Sequence, residues 1–130
     1  GDGSSDDLGS VTGTVAVQHV YGDDGSYTPT VTALDTTGTS TTASTVIFVQ
    51  PLLVSVSASK SGNTATFTAN VSPAGSAIAS YAWNFGDGTS QTTSANSTSH
   101  TYVPGTYTVR VTARTSTGHT SSGSASVAIP

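Results

Sequence analysis

Trp83-Asn84-Phe85-Gly86-Asp87-Gly88 joins two signals in six residues. Its first half continues an alternation in which Tyr81, Trp83 and Phe85 fall on one side of an extended segment, with Ala82 and Asn84 on the other. Its second half, an aspartate between glycines, suits a tight turn whose unpaired amides the carboxylate can accept. The segment is therefore read as a half-buried strand that delivers aromatic rings to a core and stops at a turn.

The same period of two runs outward in both directions. Val54, Val56 and Ala58 alternate with serines, and Ala65, Phe67, Ala69 and Val71 alternate with Thr and Asn. Downstream, Tyr107, Val109, Val111 and Ala113 repeat the pattern, and Ala125, Val127 and Ile129 close it. Turn-forming clusters such as Ser61-Gly62-Asn63, Pro104-Gly105 and Thr117-Gly118 separate these runs, and no window carries a helical stripe. Short strands at this spacing predict an all-β chain folded as a β-sandwich.

The turn motif also occurs as Gly1-Asp2-Gly3, and the same order of signals follows it. His19-Val20-Tyr21 answers His100-Thr101-Tyr102, Gly25-Ser26-Tyr27 answers Gly105-Thr106-Tyr107, and Pro51 answers Pro130. A tandem repeat of about 80 residues is expected, with its first copy lacking everything that corresponds to Leu52 through Phe85. The expected domains are residues 1–51, the C-terminal part of one module, and residues 52–130, a complete module. Pro29 stands where the second copy has Val109, which predicts a break or bulge in that strand.

Three spaced elements, Trp83-Asn84-Phe85-Gly86-Asp87-Gly88, His100-Thr101-Tyr102 and Pro104-Gly105-Thr106-Tyr107-Thr108-Val109, resemble the PKD domain, an immunoglobulin-like β-sandwich module. The family's first element usually reads W-D-F-G-D-G, so Asn84 keeps a side-chain carbonyl and loses a charge. Trp83, Phe85, Gly86, Asp87, Gly88, His100, Tyr102, Gly105 and Tyr107 carry the resemblance in the second copy; His19, Tyr21 and Tyr27 carry it in the first. The resemblance implies a spacer or adhesive unit of secreted enzymes, surface layers or cell-surface proteins, often in tandem.

Composition narrows the function. The 130 residues hold three Lys and Arg against seven acidic residues, a net charge of −4, too little positive charge to line a nucleic acid. No apolar run reaches the length of a membrane span. Serine and threonine make up about a third of the chain and cysteine is absent, which suits an extracellular or cell-surface module stabilised without disulfides. Asn70-Val71-Ser72 and Asn96-Ser97-Thr98 fit the N-glycosylation pattern, at Asn70 and Asn96.

Catalysis is not expected, because neither cysteine nor glutamate is present and no G-x-S-x-G elbow occurs. The matched His19 and His100 read as hydrogen-bonded strand-edge residues rather than bases or metal ligands. Trp83 reads as core rather than as an exposed ligand platform. No cofactor is implied. Calcium is the one ion that oxygen-rich loops would suit, with Asp6, Asp7, Asp23 and Asp24 as its ligands, although no D-x-D-x-D-G series is present.

Anchoring the repeat on Pro51 and Pro130 turns Val46 and Phe48 inward and leaves Ile47 and Val49 outward. With Leu52 and Leu53 they form the expected interface, covered by a neighbouring module or another subunit. The function expected is an extracellular structural or adhesive protein of tandem modules, forming an array, stalk or filament by strand pairing. The alternatives are an accessory module of a secreted hydrolase, holding polysaccharide or protein, and a virion surface decoration domain. A half sandwich alone exposes its inner face, so residues 1–50 are expected to be partly unfolded, to self-associate, or to be completed by other strands.

Overall fold

The computed structural model describes residues 1–130, which divide into two compact units, Gly1–Gln50 and Pro51–Pro130. In the first unit, β1 (Gly25–Tyr27) pairs with β4 (Ile47–Val49), and β2 (Thr30–Leu34) pairs with β3 (Ser40–Ser44). The second unit contains β5 (Leu53–Ser61), β6 (Thr64–Ser72), β7 (Ile78–Asn84), β8 (Ser90–Thr93), β9 (Ser97–Thr101), β10 (Gly105–Thr115) and β11 (Thr120–Ile129). No helix forms anywhere, so none is long and apolar enough to cross a membrane.

The second unit is a sandwich of two antiparallel sheets, β5-β6-β9 and β11-β10-β7-β8. The alternation read from the sequence sets its inner faces. Ala65, Phe67 and Ala69 come from one sheet and Tyr81, Trp83, Val109, Val111, Ala113, Val127 and Ile129 from the other; Phe85 and Tyr102 close the end. Phe67 lies at the centre, 6.2–6.4 Å from the rings of Trp83, Phe85 and Tyr102. The Trp83 indole N–H is satisfied by Thr93 Oγ1 at 3.0 Å, so the one polar atom of the largest core side chain is not stranded.

The outer faces are hydroxyl-rich. Thr64 and Thr101, Thr66 and Ser99, and Thr112 and Ser122 are cross-strand hydroxyl pairs at 2.9–3.0 Å. Gly123 lies where a Cβ would collide with the Val54 carbonyl, so the missing side chain lets β11 close against β5.

In the first unit, both ladders share one antiparallel register, interrupted at Thr28-Pro29 and Thr45-Val46. Thr45 N–H still donates to the Pro29 carbonyl at 3.3 Å, but Pro29 has no N–H to return. The break expected at Pro29 is therefore present, whereas β10 runs unbroken over the matching span.

The register corrects one expectation. Tyr27 is opposite Ile47 and Gly25 is opposite Val49, as Tyr107 is opposite Val127 and Gly105 opposite Ile129. Cross-strand partners share a face, so Ile47 and Val49 take the side that is the core side in the second unit. Phe48, 66 % exposed, takes the other. The two prolines are 79 residues apart, while Gly25 and Gly105, like Val49 and Ile129, are 80 apart. A slip of one residue inverts every side chain of a strand, which is why the proline anchor gave the wrong phase.

Candidate functional site

The repeated order of signals converges, in the second unit, on the turn after β7. Phe85 N–H donates to the Thr89 carbonyl and closes the turn, and Asn84 Oδ1 accepts the Gly86 amide. Asp87 Oδ1 accepts both the Thr89 amide at 2.9 Å and the Thr89 hydroxyl at 2.6 Å. Asp87 Oδ2 accepts from His100 Nε2 at 2.7 Å, tying this turn to β9. The Thr89 hydroxyl and then the imidazole hold the Asp87 carboxyl well below the usual carboxylate range.

His100 is fixed by aromatic neighbours as well. Its ring lies flat on Phe85, with centroids 4.1 Å apart, and Tyr102 meets it edge-on at 4.6 Å. Tyr102 in turn stacks on Tyr107 and donates its hydroxyl to the Phe85 carbonyl at 3.1 Å. Burial, and next the nearby Asp87 charge, push the Tyr102 phenol up to about 12. Tyr107 donates to the Val103 carbonyl four residues upstream, a tyrosine corner at the entry of β10.

Much of this arrangement recurs in the first unit. His19 Nε2 lies 2.7 Å from Asp2 Oδ2, and Ser4 takes the place of Thr89, its hydroxyl 2.7 Å from Asp2 Oδ1. Tyr21 meets His19 edge-on and stacks on Tyr27, and Tyr27 donates to the Asp23 carbonyl at 2.8 Å. Gly1 packs on Thr28 as Gly86 packs on Thr108: a Cβ would lie 2.7 Å from Thr28 N and 2.5 Å from Thr108 O. The difference lies on the open face of His19, where nothing stacks in the way Phe85 stacks on His100.

Asp, His and a hydroxyl invite comparison with a hydrolytic triad, and the geometry rejects it. A carboxylate can only accept, so His100 Nε2 carries the proton that faces Asp87, and the Thr89 hydroxyl is committed to the same carboxylate. Carboxylate and hydroxyl both address one ring nitrogen, whereas a relay needs them on opposite nitrogens. The cluster fastens a turn.

The cation candidates Asp6, Asp7, Asp23 and Asp24 are not assembled into a site. No three His or Asp side chains converge in this structure, Asp7 caps the Gly9 amide, and Asp23 contributes its backbone carbonyl to Tyr27. Asn70 Nδ2 donates to Ser57 Oγ on the exposed face of β6, and Asn96 Nδ2 donates to the Ala69 carbonyl. Leu53 is 59 % exposed and Leu52 half-buried.

Residues 50–129 match the family model described as PKD domain. The chain belongs to the PKD domain family. PKD domains are generally non-catalytic modules of extracellular or secreted proteins, which agrees with the turn-fastening role of Asp87 and His100. The PKD1 domain of the Vibrio cholerae metalloprotease PrtV is similar in fold, with TM-score 0.53 and 20 % identity over 60 % of this chain and 95 % of that one. The PKD1 domain of Vibrio anguillarum Epp is similar at TM-score 0.53 and 25 % identity, over 62 % of this chain and 94 % of that one. A structure described as a carbohydrate-binding module of the β-sandwich superfamily matches with TM-score 0.55 and 28 % identity, over 62 % of this chain but 34 % of its own length. No curated protein matches the sequence.

Proposed function

We propose that this PKD chain is a building piece of an extracellular structural or adhesive protein, with modules in tandem forming an array, stalk or filament. The contrast between its two units carries the reading. The PKD unit buries a full core beneath hydroxyl-rich faces and holds the Asp87–His100 pair in a turn. Gly1–Gln50 instead leaves Val31, Leu34 and Phe48 largely exposed on strands paired along one edge only. Exposed apolar side chains beside an open strand edge suit association with a neighbour by strand pairing. The neighbour is a further PKD module or another copy of the chain. Light scattering with electron imaging tests this: regular assemblies are expected, and a monodisperse monomer at every concentration would overturn it.

A second reading has one observation in its favour, the likeness to the PKD1 domains of PrtV and Epp and to a carbohydrate-binding module. On that reading the chain is an accessory module of a secreted hydrolase. Carbohydrate platforms use exposed aromatic rings, and this PKD unit spends Trp83, Phe67, Phe85, Tyr81 and Tyr102 on its core. Retention on insoluble polysaccharide would favour the accessory reading over the array.

A further inference from the structure

Charge divides between the two units far more sharply than the net value of −4 shows. Asp2, Asp6, Asp7, Asp23, Asp24 and Asp35 all lie in Gly1–Gln50, which has no Lys or Arg. Pro51–Pro130 holds Lys60, Arg110 and Arg114 against Asp87 alone. With histidine neutral, six negative side chains against none, and three positive against one, give −6 and +2. Two of the four charges in the PKD unit are engaged there: Lys60 Nζ donates to the Ala128 carbonyl, and Asp87 pairs with His100. Arg110 and Arg114 are exposed and have no carboxylate partner in the unit. Both stand on the outer face of β10, either side of Thr112, with Ser124 and Asn84 across from Arg110 and with Thr120 and Ser80 across from Arg114. They are the two long side chains on a face of short polar ones. The outer face of β5-β6-β9 carries Leu53, serine, threonine and Asn70 but no charge.

We propose that the Arg110–Arg114 face of β10 docks the acidic first unit of a second copy of this chain, head to tail. A guanidinium presents a planar fork of donors that matches a carboxylate. Four residues along a strand separate the two arginines by about 13 Å, too far for one small anion to hold both. The occupant must therefore present carboxylates in more than one place. The first unit does so, with Asp6-Asp7 and Asp23-Asp24 all exposed. Two first units repel each other, and so do two arginine faces, so the favourable contact is the unlike one. Such a contact is heterologous: each copy keeps one free face and one free acidic unit, and copies add in a single direction. This deepens the array reading above and rests on it for its biological setting. The charges choose the partner and its polarity, as a contact separate from strand pairing.

The test is sedimentation and light scattering of the full chain and two variants. Association should weaken about ten-fold between roughly 10 and 150 mM salt, as the Debye length falls from about 30 to 8 Å. Arg110→Ser with Arg114→Ser removes the face and keeps the acidic unit; Asp6→Lys with Asp24→Lys does the reverse. All four positions are exposed, and an unchanged thermal transition shows that each variant remains folded. Each variant alone should be monomeric, whereas their equimolar mixture should form a dimer and stop there, because only one matched pair of surfaces remains. Assembly that ignores salt and both sets of substitutions overturns the proposal and leaves the strand-paired array standing. Salt-dependent dimers or closed rings without extended assemblies support the docking face and remove the array. A chain that stays monomeric yet binds alginate through the two arginines overturns the proposal, assigning the face to an anionic polysaccharide.

Discussion

His100 Nε2 lies 2.7 Å from Asp87 Oδ2, and that one contact joins the turn after β7, in one sheet, to β9 in the other. It spans the open end of the sandwich, where Phe85, Tyr102 and Tyr107 stack in series with the imidazole. The same contact recurs between His19 and Asp2, also at 2.7 Å, in the first unit.

Acid should loosen this end first. The Asp87 carboxyl is depressed in the fold by Thr89 and His100, and Asp2 is depressed likewise by Ser4 and His19. A group depressed in the folded state stabilises above its unfolded value, near 4, and that contribution drains away as pH falls through the folded value. The thermal midpoint should therefore hold near neutrality and drop below about pH 4, and Asp87→Asn should lower it at pH 6 while flattening the acid slope. Calorimetry of both chains across that range checks the sign; an equal acid slope in the variant would contradict it.

Two glycines in one turn should respond unequally to alanine. Gly86 and Gly88 have φ of 81° and 92°, so each replacement meets backbone strain of about 1–2 kcal/mol. Only Gly86 also faces a wall: its Cβ would lie 2.5 Å from the Thr108 carbonyl oxygen, while nothing lies within 4 Å of the one at Gly88. Denaturant midpoints should show Gly88→Ala costing about 1–2 kcal/mol and Gly86→Ala clearly more, because β10 must shift to admit the methyl group.

These contrasts also show what the sequence could and could not convey. The core was legible because alternation is local: Phe67, Trp83, Val109, Val111 and Val127 are buried where the period of two places them. The Asp87 turn was legible for the same reason. The Asp87–His100 pair was not, since sequence offers two polar residues 13 positions apart and no vector between them. Nor were the tyrosine corners at Tyr27 and Tyr107, although the spacing to Asp23 and Val103, four residues in each case, is a signal that could have found them. The phase of β4 failed because two prolines were weighted above the Gly-x-Tyr spacing, and register tolerates no error of one.

Tyr102 should titrate late and visibly. Its phenol is pushed up to about 12 by burial, so its neutral form is favoured in the fold and stabilises below the unfolded value near 10. That contribution is lost as pH rises from about 10 through 12. Ultraviolet titration of the folded chain should show a phenolate step above the others, absent from Tyr102→Phe. The variant also loses the hydrogen bond to the Phe85 carbonyl, at a cost of about 1 kcal/mol at neutral pH.

Pro29→Val should join the two ladders of the first unit into one. Pro29 and Thr45 face each other in a hydrogen-bonded pair with only half its bonds, Thr45 N–H to the Pro29 carbonyl. The amide restored at position 29 would point at the Thr45 carbonyl and complete the pair as in an unbroken antiparallel ladder. The gain of about 0.5–1.5 kcal/mol is offset by roughly 0.4–1 kcal/mol, because valine frees the unfolded chain that proline restricts. Global stability should therefore move by less than about 1 kcal/mol and is the wrong readout. Amide exchange is the right one. Protection should appear at position 29 and deepen at Thr45, with β1–β2 and β3–β4 exchanging as a single hairpin, and continued independent exchange of the two ladders would show that something other than the missing N–H breaks them.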